Sequence, residues 1–223
     1  MNNIYKIFSV VSYFIGWTFF RIIFSLFYKL KIYGIENLPK SGGFILTSNH
    51  QSHLDPPLVG SCIFPKQLKY TARDTLFKNP IAGFVLDSWG AFKLKRGTID
   101  RGAWEQFKNY AQNGYGVVFF PEGTRSEDGE IHDGKPGTGM LIYMAKVPVV
   151  PVYVHNTYLA FPKQKKFPRL FGVRISVTFG KPIYFDEYFT KEPNKELYAE
   201  ITKKIMDEIK KLKSEFTGKE AKK

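Results

Sequence analysis

Two histidines and a carboxylate fall within the stretch SNHQSHLD, Ser48 to Asp55. His50 and Asp55 are five residues apart, too far to be neighbours on a regular helix. A turn leading into a helix at Leu54 folds the carboxylate back onto the imidazole. An aspartate that accepts from one ring nitrogen fixes the tautomer and leaves the other nitrogen as a base. A serine nucleophile would extend the pair to a triad, but Ser48, Ser52 and Ser61 lie in no G-x-S-x-G elbow. Zinc on His50, His53 and Asp55 lacks the i, i+4 spacing or the further Cys and His ligands that such sites use. Two readings stay open at this point: a pair that deprotonates a substrate hydroxyl, and a hydrogen-bonded polar loop.

The second cluster is FFPEGTRS, Phe119 to Ser126. A buried strand ends at a proline, and Gly123 allows close approach of the backbone to a ligand. Arg125 offers a planar donor fork suited to phosphate, and Glu122 is placed to hold that fork. A surface turn with an internal Glu–Arg pair is the plainer alternative. Arg73, Lys93, Lys95, Arg96 and Lys135 can add positive charge, although each alone reads as a solvated surface group. GEIHDGKP (Gly129 to Pro136) imitates a nucleotide-binding loop, but Pro136 supplies neither a hydroxyl for magnesium nor an N–H for phosphate.

These clusters need elements to position them. Strand patterns begin at Phe44 (FILTS), Leu68 (LKYTA), Ala91 (AFKLK), Gly116 (GVVFF), Val147 (VPVVPVYVH) and Val173 (VRISVTFG). Helical patterns lie between them at Leu54–Cys62, Pro80–Trp89, Thr98–Asn113 and Thr138–Ala145. Such alternation predicts an α/β domain with a largely parallel or mixed sheet covered by helices. Leu197, Ile201, Ile205, Ile209, Leu212 and Phe216 mark a C-terminal amphipathic helix docked on the domain. In open α/β sheets ligands gather beyond the C-terminal ends of the strands. SNHQSHLD, Lys95-Arg96 and PEGTRS each follow a strand, which places them on one edge.

Ile4 to Ile32 is the most apolar part of the chain. Its uninterrupted run, Ile7 to Phe20, is shorter than the ~20 residues that span a bilayer. Arg21 follows, where a charge at bilayer centre costs ~2.5 kcal/mol or more. This favours one or two helices lying in the interface over a tilted span, with Arg21, Lys29 and Lys31 reaching headgroups. The formal net charge of +13 calls for an anionic partner. Phe161 to Gly172 mixes Lys163, Lys165, Lys166 and Arg169 with Phe161, Phe167, Leu170 and Phe171, which suits lipid headgroups or single-stranded bases. Single Cys62 excludes an intramolecular disulfide.

Asn49-His50-x4-Asp55, then GAFKLKR (Gly90 to Arg96), FPEGTRS and VPVVPV (Val147 to Val152) occur in order. They resemble the four motifs of the glycerolipid acyltransferase family, above all its bacterial-type 1-acylglycerol-3-phosphate acyltransferases. The resemblance covers roughly Gly34 to Gly180. It implies transfer of an acyl group from a thioester of coenzyme A or acyl carrier protein to a lysophosphatidate hydroxyl, without an acyl-enzyme. His50 is then the general base and Asp55 its orienter. Arg73, Arg96, Glu122, Gly123, Thr124 and Arg125 would bind the substrate phosphate, and Asn49, Lys93 and Lys135 would be further contacts. Lys93, Lys95 and Gly134 depart from residues common in relatives. No metal, cofactor or nucleic acid is expected. The expected layout is a membrane-associating segment over 1–33, the catalytic domain over 34–216 and a basic tail over 217–223, bound monotopically or peripherally to membrane lipids on the cytoplasmic face. A different acceptor lysophospholipid, a non-catalytic lipid-binding module and a lipid hydrolase are the alternatives.

Overall fold

The computed structural model describes residues 3–63, 65–94 and 100–220. Among them the strands β1 (Lys31–Tyr33), β2 (Phe44–Ser48), β3 (Leu68–Arg73), β4 (Ala91–Leu94), β5 (Gly116–Phe119), β6 (Val149–His155) and β7 (Ser176–Phe179) form one sheet. Its spatial order is β1-β7-β6-β2-β5-β3-β4. From β6 to β4 all neighbours are parallel, β7 runs antiparallel to β6, and β1 runs parallel to β7. The sheet is therefore mixed, with a parallel centre and a reversed pair at one edge.

The central strands read as continuous apolar runs because both faces are covered. Alternate residues take opposite sides. Phe44, Leu46, Val118, Val150 and Val152 pack with Phe24 and Tyr28 of α1 (Asn3–Tyr28) and Leu58 and Val59 of α2 (Asp55–Cys62). On the other face, Ile45, Val117 and Val149 pack with Phe107 of α4 (Arg101–Gln112), Leu141 and Ile142 of α5 (Gly137–Ala145), and Ile201 and Ile205 of α8 (Lys195–Glu220). The helix α3 (Pro80–Ser88) packs beside α1, and its N-cap Asn79 accepts from the N–H groups of Ile81 and Ala82 at 3.0 Å. Two single turns, α6 (Thr157–Ala160) and α7 (Asp186–Phe189), complete the helices among the described residues.

The expected stripe of α8 is buried at Leu197, Ile201, Ile205, Ile209 and Phe216. The helix continues to Glu220, through most of the stretch expected as a tail. Positions 221–223 lie outside the described residues.

The apolar N-terminal segment is one continuous helix of 26 residues. Ile7–Tyr28 is long and apolar enough to cross a membrane. One side carries exposed Ile4, Ile7, Val11, Ile15, Phe19, Ile22 and Leu26. The other side brings Phe24 and Tyr28 fully into the core, where Phe24 contributes ~1.5–3 kcal/mol. The sequence placed 31–33 in the membrane segment, but Lys31, Ile32 and Tyr33 pair with Ser176, Val177 and Thr178. The sheet thus begins before Gly34. A three-residue strand has no periodicity to read, and its partner is far away in sequence.

Candidate active site

Beyond Ser48 the chain turns before α2 begins at Asp55. The buried Asp55 carboxylate organises that turn: Oδ2 accepts the N–H groups of Gln51 at 2.6 Å and Ser52 at 2.7 Å and lies 2.8 Å from His50 Nδ1. The N-terminus of α2 favours this anion, and Pro56 and Pro57 suit a first turn that needs no N–H donors. An ionised carboxylate only accepts, so Nδ1 carries the proton and Nε2 keeps its lone pair. The imidazole stacks on Phe120 with centroids 4.1 Å apart and planes at 25°.

Glu122 lies under the same loops and is 4% exposed. Its Oε1 accepts the N–H of His50 at 2.8 Å, and Oε2 accepts that of His132 at 3.2 Å. Burial raises its pKa, while these two donors pull the other way. The carbonyl of His50 in turn accepts from Ser126 N at 2.7 Å. The turns after β2 and β5 are therefore joined through backbone on both sides of His50, as the parallel register of Thr47 against Phe119 allows.

A cavity of about 680 Å³ opens at this edge of the sheet, within the range of small-molecule sites. His50, His53, Arg73, Gly123, Arg125 and Lys135 line its polar end. Gly123 takes φ +67°, and a Cβ there would press on the Lys135 side chain. The pKa of His53 is lowered by burial first and by Arg125 second. From Arg73 back to Tyr70 along β3 the cavity runs ~10 Å into apolar surroundings that include Gly16, Trp17 and Phe20 of α1, together with Leu86 and Trp89. Gly16 lets the α1 backbone lie against the Trp89 ring, which a Cβ would overlap. The arrangement can hold an anionic group at one end and an acyl chain at the other, with a base between them.

Several expected site residues stand elsewhere. Asn49 is fully buried, and its amide clamps Val154, donating to its carbonyl at 2.9 Å and accepting its N–H at 2.8 Å. It is a strut between β2 and β6 rather than a substrate contact. Glu122, expected on the phosphate, has both oxygens occupied by backbone donors. Thr124 is exposed on the same turn. Lys93 lies over the Phe77 ring at 5.4 Å and lines a separate cavity of about 320 Å³. Arg96, like Lys95, lies outside the described residues. The three serines near His50 have backbone partners: Ser48 Oγ donates to Asn49 O at 3.1 Å, Ser52 Oγ to Phe161 O at 2.8 Å and Ser61 Oγ to Leu58 O at 2.8 Å. Sequence reasoning missed the platform Phe120 and the α1 wall. A glycine among large side chains, at helical spacing with Tyr13 and Phe20, was the available signal for that wall.

Residues 29–155 match the family model described as Acyltransferase. The 1-acyl-sn-glycerol-3-phosphate acyltransferase of Bacillus subtilis is 29% identical over 198 residues, covering 88% of this chain and 94% of that protein. The chloroplastic 1-acyl-sn-glycerol-3-phosphate acyltransferase BAT2 of Brassica napus is 33% identical over 163 residues, covering 71% of this chain and 46% of its own length. The chain thus spans about half of the plant relative and nearly all of the Bacillus one. The crystal structure of the 1-acyl-sn-glycerophosphate (LPA) acyltransferase PlsC from Thermotoga maritima superposes with a TM-score of 0.71 at 28% identity, covering 90% of this chain and 79% of that one.

Proposed function

The chain belongs to the acyltransferase family, and on that premise we propose that it acylates the free hydroxyl of 1-acylglycerol-3-phosphate from a coenzyme A or acyl carrier protein thioester. The product is phosphatidic acid, a step of phospholipid biosynthesis. The observation that carries this reading is the 2.8 Å contact of His50 Nδ1 with Asp55 Oδ2 on the wall of a cavity that is cationic at one end and apolar at the other.

In the proposed reaction His50 Nε2 takes the proton of the acceptor hydroxyl as that oxygen attacks the thioester carbon. Asp55 stabilises the imidazolium that forms. The tetrahedral intermediate collapses, the C–S bond breaks, and the imidazolium returns its proton to the departing thiolate. Base catalysis of this kind supplies ~10²–10⁴-fold. Arg73, Arg125 and Lys135 hold the acceptor phosphate and so fix its hydroxyl near the base. The backbone of Gly123 allows close approach there, and Arg96 joins this set on the resemblance of the second motif alone. The acyl chain of the donor lies against α1, α3 and β3. Because α1 packs one side on the domain and exposes an apolar stripe on the other, it lies along the membrane surface and does not cross it. The cytoplasmic face, where both thioester donors occur, is the proposed side.

The test is turnover of the purified full chain with labelled acyl-coenzyme A or acyl carrier protein and a panel of lysophospholipids, read by mass spectrometry. Acceptor-dependent phosphatidate is the expected product. Release of free fatty acid without an acceptor would instead make the protein a hydrolase, and no turnover with any pair would leave a lipid-binding module.

A further inference from the structure

The loop Phe161–Gly172, between α6 and β7, has no part in the chemistry above, yet it is built unlike an ordinary surface loop. Phe167 is 83% exposed, Phe171 67% and Leu170 42%. Lys165, Lys166 and Arg169 are exposed among them, while Lys163 is paired with Glu127 at 2.6 Å. From Gly134 to Phe185 the chain contains no Asp or Glu, so nothing acidic within the segment offsets these cations. The loop is fixed in place: Arg169 N donates to Ala160 O at 2.7 Å and Arg169 Nε to Phe171 O at 3.1 Å.

Its apolar groups continue another exposed apolar face. The Phe171 ring meets Phe27 of α1 at 5.3 Å, and exposed Leu26 and Ile22 begin the outer stripe of that helix. At its other end the loop touches the catalytic turn, where Phe161 O accepts from Ser52 Oγ and the Phe161 ring lies 5.9 Å from His53.

We propose that Phe161–Gly172 is a second membrane-docking element, specific for anionic lipid bilayers, that inserts Phe167, Leu170 and Phe171 while Lys165, Lys166 and Arg169 meet lipid phosphates. Rings entering the acyl boundary beneath a cationic collar fit a headgroup layer. Two contacts, α1 and this loop, define a plane, and the loop's tie to Ser52 sets the mouth of the cavity at headgroup depth. Docking does not depend on the acyltransferase reading; only its consequence for turnover does.

The experiment uses the full chain with phosphatidylcholine vesicles, with and without phosphatidylglycerol. Each cation near an anionic surface is worth about fivefold in partition. Lys165→Gln with Lys166→Gln is expected to weaken binding to the anionic vesicles ~25-fold and leave phosphatidylcholine binding unchanged. Turnover of detergent-dispersed substrates should also be unchanged. If α1 alone saturates binding, a Phe167→Cys variant carrying an environment-sensitive dye reads the loop directly. Cys62 is buried and its thiol is pushed up to about 12 by burial, so the dye goes to position 167. A blue shift on anionic vesicles supports insertion. An unshifted dye with unchanged partition overturns the proposal. So does a raised KM for an acyl carrier protein donor in the double variant with vesicle binding intact, which would assign the surface to that donor. Vesicle binding as proposed with no acyl transfer would sink the acyltransferase reading alone.

Discussion

Glu122 accepts the backbone N–H of His50 through one carboxylate oxygen and that of His132 through the other. The acid of FPEGTRS thus holds the chain at His50 of SNHQSHLD. That bond and the one from Ser126 N to His50 O grip the peptide groups on both sides of the imidazole. The turn that carries His50 and the turn that carries Gly123 and Arg125 are consequently one mechanical unit, and on the proposed reading placing the acceptor phosphate places its hydroxyl relative to Nε2.

Glu122→Gln tests this unit. Glutamine keeps one acceptor oxygen and turns an NH₂ toward the second backbone donor, which leaves a part-buried N–H unsatisfied at ~1–3 kcal/mol. The expected outcome is a fall in kcat of about ten- to a hundredfold, with KM for both substrates little changed. Glu122→Asp retains two acceptors and should recover part of the loss. Burial raises the Glu122 pKa, so the folded protein holds this proton at pH values where the unfolded chain has released it. As pH falls through the raised value, protonation removes an acceptor. The wild-type acid limb should therefore be steeper by one protonation than that of Glu122→Gln, which keeps only the limb that any base-catalysed rate shows. A pH–rate profile of the two proteins decides.

Asp55→Asn probes the negative charge beside His50. The amide oxygen would take the place of Oδ2, which now accepts from Gln51 N, Ser52 N and Nδ1–H together, so the variant keeps the tautomer and loses the negative charge that stabilises the imidazolium. kcat should fall ~10²–10⁴-fold, as in His50→Ala, and the double variant should be no worse than either single, because the two act as one unit. A loss below tenfold in Asp55→Asn would remove Asp55 from the mechanism.

Much of this arrangement was legible because its contacts are local in sequence. His50 and Asp55 share one turn, and strand runs such as FILTS are buried throughout because both sheet faces are covered. What escaped was set by distant packing. The edge strand at Lys31–Tyr33 exists only through its pairing with Ser176–Thr178. Asn49 looked like a substrate contact because a polar side chain beside a base suggests one, yet its partner, Val154, is 105 residues away. Glu122 was matched with the nearest cation in sequence, whereas the backbone donors that occupy it come from His50, in the turn after β2, and from His132, ten residues further along its own loop. The α1 wall was hidden by composition: a helix rich in Phe and Ile does not show in sequence which side is protein, and contact with Trp89 and the burial of Phe24 and Tyr28 do.

Arg125→Ala should separate binding from chemistry. Removing one donor fork from the phosphate end, with Arg73 and Lys135 still present, is expected to raise KM for lysophosphatidate about tenfold, in line with the ~1.5–3 kcal/mol of a hydrogen bond to a charged group. KM for the thioester should not change, and neither should the rate with a monoacylglycerol acceptor, which carries no phosphate. Equal effects on both acceptors would place Arg125 outside the phosphate site.

The apolar end of the cavity makes a prediction about chain length. Ala72 lies on the same face of β3 as Tyr70, two residues nearer the catalytic edge, and both line the cavity. Ala72→Leu would fill space between the base and the apolar end without touching the charged groups. Long acyl donors should then lose kcat/KM relative to short ones, by ~10–200-fold for the chains that no longer fit, the range a hydrophobic pocket reaches per methylene. Competition between two acyl-coenzyme A chain lengths in one reaction, with products resolved by mass, measures this ratio free of differences in enzyme concentration. An unchanged ratio would mean that the acyl chain lies elsewhere, and the wall formed by α1 would then be structural.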